Sequence, residues 1–391
     1  MTELRRVLQL PGAVVVGVGA MLGTGVFAVW TPAFRIAGSA LLFALLLAAA
    51  VAALNATSTA SLARAVPRAG GVYAYGKAFI GRWAGVAAGY AFVIGKSASA
   101  GAAALTIGAY LWPEQQRIVG LIAVALALAW DLRGIVRSVR VTVLLITVVV
   151  VAIVALSVAW WGAGLTRVGV ALEGATPWGI LGAAGLLFVA FAGYARITVL
   201  GEEVAHPTRT IPRAMALSFG IVIVVYVVVG MLVLSAVDSG VKLSAAPLES
   251  VAAATNATGL VALVRLGAVF AAGAVLLSLI AGIGRTLFAM GRDGDAPGAL
   301  NAINDRHVPW RAEVVAAALT LGVVAMGGIG LALALSAATI LTYYGIAHVC
   351  VLARWRGGDA SGRLALAAAV GLMGCIAVVV GVGSVAFSTV G

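Results

Sequence analysis

Three groups of residues are of a kind that does chemistry inside an apolar protein. The first lies in residues 15–28, VVGVGAMLGTGVFA, where Gly17, Gly19, Gly23, Thr24 and Gly25 interrupt a helix-like apolar run. Glycine costs about 1 kcal/mol against alanine in a helix interior, so this density predicts a break in the middle of the run, at membrane depth. A broken helix offers unpaired N–H groups on one side of the gap and C=O groups on the other, with dipole ends to match. The second group is the weak point Phe191, Ala192, Gly193 and Tyr194 in a later apolar segment. The third is Lys96, in the middle of VIGKSASAGAAALTIGAY. An ammonium at that depth costs at least ~2.5 kcal/mol, so it must face a bundle interior or water, where it is suited to gaining and losing a proton. The alternatives are packing glycines and a fixed lysine bonded to backbone carbonyls.

The elements that position these groups follow from composition. Of 391 residues, 63% are hydrophobic and 10% charged, which describes a polytopic integral membrane protein in one transmembrane domain, residues 1–391. At membrane depth unwound chain survives only where it is buried in protein or lines a cavity, so the breaks read as parts of a binding site. The net charge of +12 sits in short loops between apolar runs, not on a soluble face, which argues for topogenic charge and against nucleic acid as a partner. Cys350 and Cys375 fall in apolar segments without metal-ligand spacing, so no metal and no disulfide is expected. No cleavable signal peptide is expected either, because the run after Pro11 enters the glycine-broken segment without a small-residue cleavage pattern.

Eleven apolar windows are long enough to cross a bilayer: 11–34, 38–63, 80–111, 117–132, 141–161, 177–201, 214–236, 260–289, 312–327, 331–353 and 364–387. The Lys and Arg residues of alternate loops, Arg64, Lys77, Arg82, Arg133, Arg292 and Arg354 among them, place the N-terminus in the cytoplasm and, after eleven crossings, the C-terminus outside. The two interrupted spans, first and sixth, are five apart and therefore cross in opposite directions. This is the pattern of a five-plus-five inverted repeat, with repeat one over 11–161, repeat two over 177–353 and an accessory helix over 364–387.

Four stretches in order resemble the amino acid–polyamine–organocation (APC) superfamily, in particular its bacterial amino acid permeases. They are GVGAMLGTGVF (17–27), RAVPRAGGVYAYGKAFIGRWAG (64–85), FAGYARITVLGEEVAHPTRTIPRAM (191–215) and GIGRTLFAMGRDGDAP (282–297). The resemblance implies the LeuT-like all-α fold with discontinuous first and sixth helices. It also implies a secondary transporter for amino acids or related amines, working by alternating access in the cell membrane. By position, the Thr24 hydroxyl and the amides around Gly23, Thr24 and Gly25 would receive a substrate carboxylate. The carbonyls near Met21, Phe191 and Ala192, beside Gly193, would receive its ammonium group.

Four further positions bear on coupling and gating. Sodium-independent members of the family use a lysine on the fifth helix; the fifth span here has none, and Lys96 is the candidate for a comparable role from another helix. Arg196 directly follows Ala195, which stands where many members have a gating glutamate, and reads either as a gate or as a structural ion pair. Ser278 would offer a hydroxyl where relatives hold sodium, but Ala271, Ala272 and Ala274 supply little else, so sodium coupling is disfavoured against proton coupling or exchange. Tyr343 either borders the site or anchors the tenth helix. Val189 and Ala195 favour a neutral over a dibasic substrate. No cofactor is expected, since there is no phosphate loop, metal cluster or nucleophile with a base at motif spacing. A membrane-embedded enzyme built on Lys96, a channel and a non-transporting amino acid sensor are the competing readings.

Overall fold

The computed structural model describes residues 9–66, 70–134, 139–164, 172, 174–194, 207–306 and 308–388. The described elements are helical throughout. The first apolar window is divided into α1 (Leu10–Met21), α2 (Gly25–Ala28) and α3 (Trp30–Ala37). A 3-10 turn at Gly38–Ala40 leads into α4 (Leu41–Ala65), and a short α5 (Val72–Phe79) precedes α6 (Arg82–Leu111). There follow α7 (Gln116–Asp131), α8 (Val139–Gly162) and α9 (Pro177–Phe191), the last continued by a 3-10 turn at Ala192–Tyr194. The remainder is α10 (Pro207–Asp238), a short α11 (Pro247–Ala254), α12 (Leu260–Arg292), α13 (Trp310–Met326), α14 (Ile329–Arg356) and α15 (Gly362–Ser388).

Among the described residues nine helical stretches have the length and hydropathy to cross a membrane. The segments α7 and α13, with 16 and 17 residues, are shorter than that criterion. At 1.5 Å per residue they reach about 24 and 26 Å, against a hydrocarbon core of about 30 Å. At the other extreme α6 and α12, of 30 and 33 residues, are longer than a perpendicular crossing needs. The protein is a multi-pass membrane protein.

Helix α6 is the axis of the bundle: 72% of its apolar window is buried, against 28% for α8, whose Val150, Val151, Val154 and Val158 face outward. Its composition explains the position. Gly85, Gly89, Gly95, Ala98, Gly101 and Ala102 leave a nearly smooth surface against which α12 and α14 pack, as small residues permit between membrane helices. On the far side α9 is enclosed by α3, α4 and α15.

Two polar clusters fix the interior and one end of this bundle. Within the apolar interior, His348 of α14 lies 2.7 Å from Asn55 Oδ1 and 2.9 Å from Ser58 Oγ of α4, and Cys375 of α15 donates to the same Asn55 oxygen at 3.3 Å. The carbonyl oxygen of an amide only accepts, so His348 carries its proton on Nε2 and accepts the Ser58 hydroxyl at Nδ1. At one end of the bundle the Asp295 carboxylate, itself unexposed, accepts from Tyr73 (2.6 Å), Lys77 (2.7 Å) and Arg82 (2.7 Å). Burial pushes the Asp295 pKa up, but these three hydrogen bonds outweigh it and hold the carboxyl well below the usual range. Burial likewise opposes the charged form of Lys77, and its bonds to Asp295, Tyr73 and Asp293 more than offset that, raising its pKa. The cluster ties α5 and the start of α6 to the chain leaving α12.

Candidate functional site

The first helix ends at Met21, where the Leu22 amide closes the last turn on the Val18 carbonyl at 2.7 Å. Leu22, Gly23 and Thr24 are non-helical, and the next turns begin with Phe27 and Ala28 donating to the Thr24 carbonyl at 3.0 Å. The amides of Gly23, Thr24 and Gly25 therefore stand at the start of a new helix with no backbone acceptor among the described residues. The Thr24 hydroxyl is buried and also without a partner. The second break is a change of winding, from α-helix to 3-10 at Ala192–Tyr194.

The two breaks lie against each other, and glycine is what lets them. A Cβ on Gly193 would overlap the Ala20 carbonyl, and one on Gly25 would overlap Ala190. The Tyr226 hydroxyl of α10 then bridges them, donating to the Met21 carbonyl at 2.6 Å and lying 3.1 Å from the Ala190 carbonyl. Its ring stands edge-on to Phe191 and Trp30. Beyond the gap α2 is braced by Tyr110 of α6, which donates to the Phe27 carbonyl at 3.1 Å, and by the Trp30 indole, which donates to the Val26 carbonyl at 2.8 Å.

A cavity of ≈ 80 Å³ opens at this junction. Ala20, Met21, Gly23, Thr24 and Gly25 line it from the first helix, and Val189, Ala190, Ala192 and Gly193 from the second interrupted segment. Lys96, Ser99 and Ala102 close it from α6, with Val275 and Leu279 of α12 and Leu333 of α14 completing the wall. Lys96, Ser99 and Ala102 recur every three residues and so share one face of α6. The wall is set by a hydroxyl pair, Ser99 to Ser336 at 2.6 Å, that pins α6 to α14 beside the cavity. The Lys96 ammonium lies 6.0 Å from the Phe92 ring. It makes no hydrogen bond or ion pair among the described residues.

Eight residues singled out from the sequence thus surround one space: Met21, Gly23, Thr24, Gly25, Lys96, Val189, Ala192 and Gly193. Phe191 is placed behind it, buried and stacked on Phe219. Tyr343 is at the α5 end of the bundle, where its hydroxyl accepts the Val72 amide at 3.1 Å and its ring meets Phe92 and Tyr344. It is not among the residues that line the cavity. Ser278 is exposed on α12, along the same stripe as the outward Leu266 and Phe270, and does not reach the cavity. Arg196 lies outside the described residues. Sequence reasoning missed Tyr226 and Ser99. Tyr226 sits in an aliphatic run, VIVVYVVVG, where a lone hydroxyl was the available signal; Ser99 is three residues from Lys96 on one helical face.

Among the described residues, a first helix broken at Leu22–Thr24 meets the 3-10 end of α9 over a partly polar cavity inside a helical membrane bundle, an arrangement suited to a membrane transporter. The amino acid permease family model matches residues 12–389, and this chain belongs to that family. Over 96% of its length it is 43% identical to an uncharacterized transporter of Mycobacterium tuberculosis, covering 86% of that protein. It is 27% identical, over 80% of its length and 54% of the relative's, to the vacuolar cationic amino acid transporter 2 of Arabidopsis thaliana. To the branched-chain amino acid permease BcaP of Bacillus subtilis it is 25% identical over 78% of its length and 71% of the relative's. These similarities point to a transporter and away from an enzyme.

Proposed function

We propose that this protein is a secondary active transporter that carries an amino acid or closely related amine across the cell membrane by alternating access. The observation that carries the reading is the meeting of the two helix breaks over one cavity, with unpaired amides and the Thr24 hydroxyl on one side and helix-end carbonyls on the other. A zwitterion has the complementary charges. Its carboxylate is received by Thr24 and the amides of Gly23 and Gly25, and its ammonium by the carbonyls of Met21, Phe191 and Ala192. The Met21 carbonyl already accepts from Tyr226 and retains a second lone pair for this purpose. Relatives named for cationic and for branched-chain amino acids support a site built on the backbone groups that all amino acids share.

In this reading the fold is a five-plus-five inverted repeat of the LeuT type, over 11–161 and 177–353, in which α7 and α13 are the shorter crossings and 364–387 is an accessory helix. The N-terminus is cytoplasmic and the C-terminus extracytoplasmic. The energetics are proton coupling or exchange without sodium, with Lys96 and Arg196 as the coupling and gating groups; the outward position of Ser278 supports the omission of sodium. The cycle uses no metal and no organic cofactor. Purified protein in liposomes preloaded with an unlabelled amino acid tests this: saturable uptake of the labelled compound by counterflow is expected. Non-saturable flux would indicate a channel, and saturable binding without flux a sensor; either refutes the proposal.

A further inference from the structure

We infer that the cavity selects amino acids with an acidic side chain, and that Lys96 is the residue that sets this preference. The inference rests on the transport reading above and names the substrate class of that same site.

The polar groups that the cavity offers are unequal in kind. Lys96, the Thr24 hydroxyl and the amides beside it are donors without acceptors among the described residues. Thr24 is 7% exposed and its oxygen is fully enclosed, so this is an unmet hydrogen-bonding demand in the interior. The remaining wall carries one further polar side chain, the Ser99 hydroxyl, which is already paired with Ser336 at 2.6 Å, and is otherwise apolar or small: Met21, Val189, Val275, Leu279, Leu333 and alanines. No Asp or Glu lines it among the described residues.

A zwitterionic amino acid brings one charge of each sign. With its carboxylate on the amides and Thr24 and its ammonium on the break carbonyls, both are consumed and Lys96, in its protonated state, is left uncompensated. A neutral side chain would seal that ammonium against apolar surface, and a lysine or arginine side chain would add a like charge in a medium that screens poorly. A side-chain carboxylate supplies the missing acceptor and counter-charge together.

The test is equilibrium binding to purified full-length protein, with L-aspartate, L-glutamate, L-alanine, L-leucine and L-lysine as probes, for the native chain, Lys96→Met and Lys96→Arg. The native protein is expected to bind L-aspartate about tenfold or more tightly than L-alanine, the effect of one charge-assisted hydrogen bond, and L-lysine not at all. In Lys96→Met the ratio of L-aspartate to L-alanine affinity falls to about one or below, and Lys96→Arg keeps the order. L-Alanine, L-leucine or L-lysine bound as tightly as L-aspartate by the native chain overturns the inference, as does an intact acidic preference in Lys96→Met. If Lys96→Met does not fold, the native ranking decides. Exchange of neutral amino acids with no acidic preference sinks the inference and leaves the transport reading standing; failure to bind or exchange any amino acid removes both.

Discussion

Replacing Gly25 by alanine adds one methyl group at the point where the two breaks touch. A Cβ at Gly25 would lie 2.5 Å from the Ala190 Cα, and 3.3 Å from the Tyr226 hydroxyl, where ordinary contacts begin at about 3.4 Å. The obstacle is backbone on an enclosed helix, which has no rotamer to give, so α2 and α9 must separate by about 1 Å. Overpacking of this kind costs about 1–3 kcal/mol, and the same displacement moves the Gly23, Thr24 and Gly25 amides relative to the Ala192 side of the cavity. If that cost falls on the substrate-bound arrangement, affinity drops by about 5- to 150-fold. The assay is substrate affinity by thermal shift and by half-saturation of counterflow, with chromatographic behaviour as a check on folding. A folded Gly25→Ala protein with native affinity and turnover would refute the claim that the two breaks jointly build the site. Gly25→Val, with two more carbons against the same backbone, is expected to abolish binding.

Three further perturbations separate the parts of the account. Tyr226→Phe keeps the ring against Trp30 and Phe191 but leaves the buried Met21 and Ala190 carbonyls without their donor; a thermal midpoint lowered by the equivalent of about 1–3 kcal/mol is expected, and an unchanged midpoint would mean that water takes the hydroxyl's place. Asp295→Asn removes the negative charge and one of the two acceptor oxygens shared by Tyr73, Lys77 and Arg82 and should cost about 1–2 kcal/mol, discounted because Lys77 is partly and Arg82 mostly exposed. The Asp295 contribution is present above the ordinary carboxylate value of 3.8 and is lost only as pH falls through the depressed native value; that of Lys77 is present below 10.5 and lost as pH rises through its raised value. The difference in midpoint between native and Asp295→Asn is therefore constant between about pH 5 and 9, and a slope in that window would contradict the assignment. Ser278→Ala should leave uptake unaltered with or without sodium, whereas a lost sodium response would restore Ser278 to a coupling role.

Much of this architecture was legible because its signals are local. Most of the apolar windows coincide with one helix to within a few residues among the described positions, since twenty apolar residues in lipid have little choice but to close their own backbone bonds. The window 11–34, by contrast, holds three helical pieces, and that at 214–236 begins seven residues inside its helix. The first break was readable because Gly23 and Gly25 flank Thr24 in sequence, and Lys96 because a charge in an apolar run is conspicuous. What was illegible depends on distant partners. Asn55 and Ser58 meet His348 across 293 and 290 positions, Cys375 meets Asn55 across 320, and nothing near any of them announces the others. The windows 11–34 and 38–63 leave a connection between Phe34 and Gly38, but α3 continues helically to Ala37 and the chain turns through Gly38 at φ 54°. For Ser278 a local signal did exist: it is spaced by multiples of four from Leu266 and Phe270, the outward stripe of α12.

The central claim is that a transported amino acid occupies the space between the two breaks. Ser99→Cys places a near-isosteric thiol on the cavity wall in a protein whose native Cys350 and Cys375 are both buried. The rate at which a small thiol reagent modifies this cysteine, measured with increasing amino acid, tests the claim most directly. Protection is expected to rise with occupancy and to be half-complete at the concentration that half-saturates counterflow. Undiminished labelling at a concentration that saturates transport would place the substrate elsewhere and contradict it.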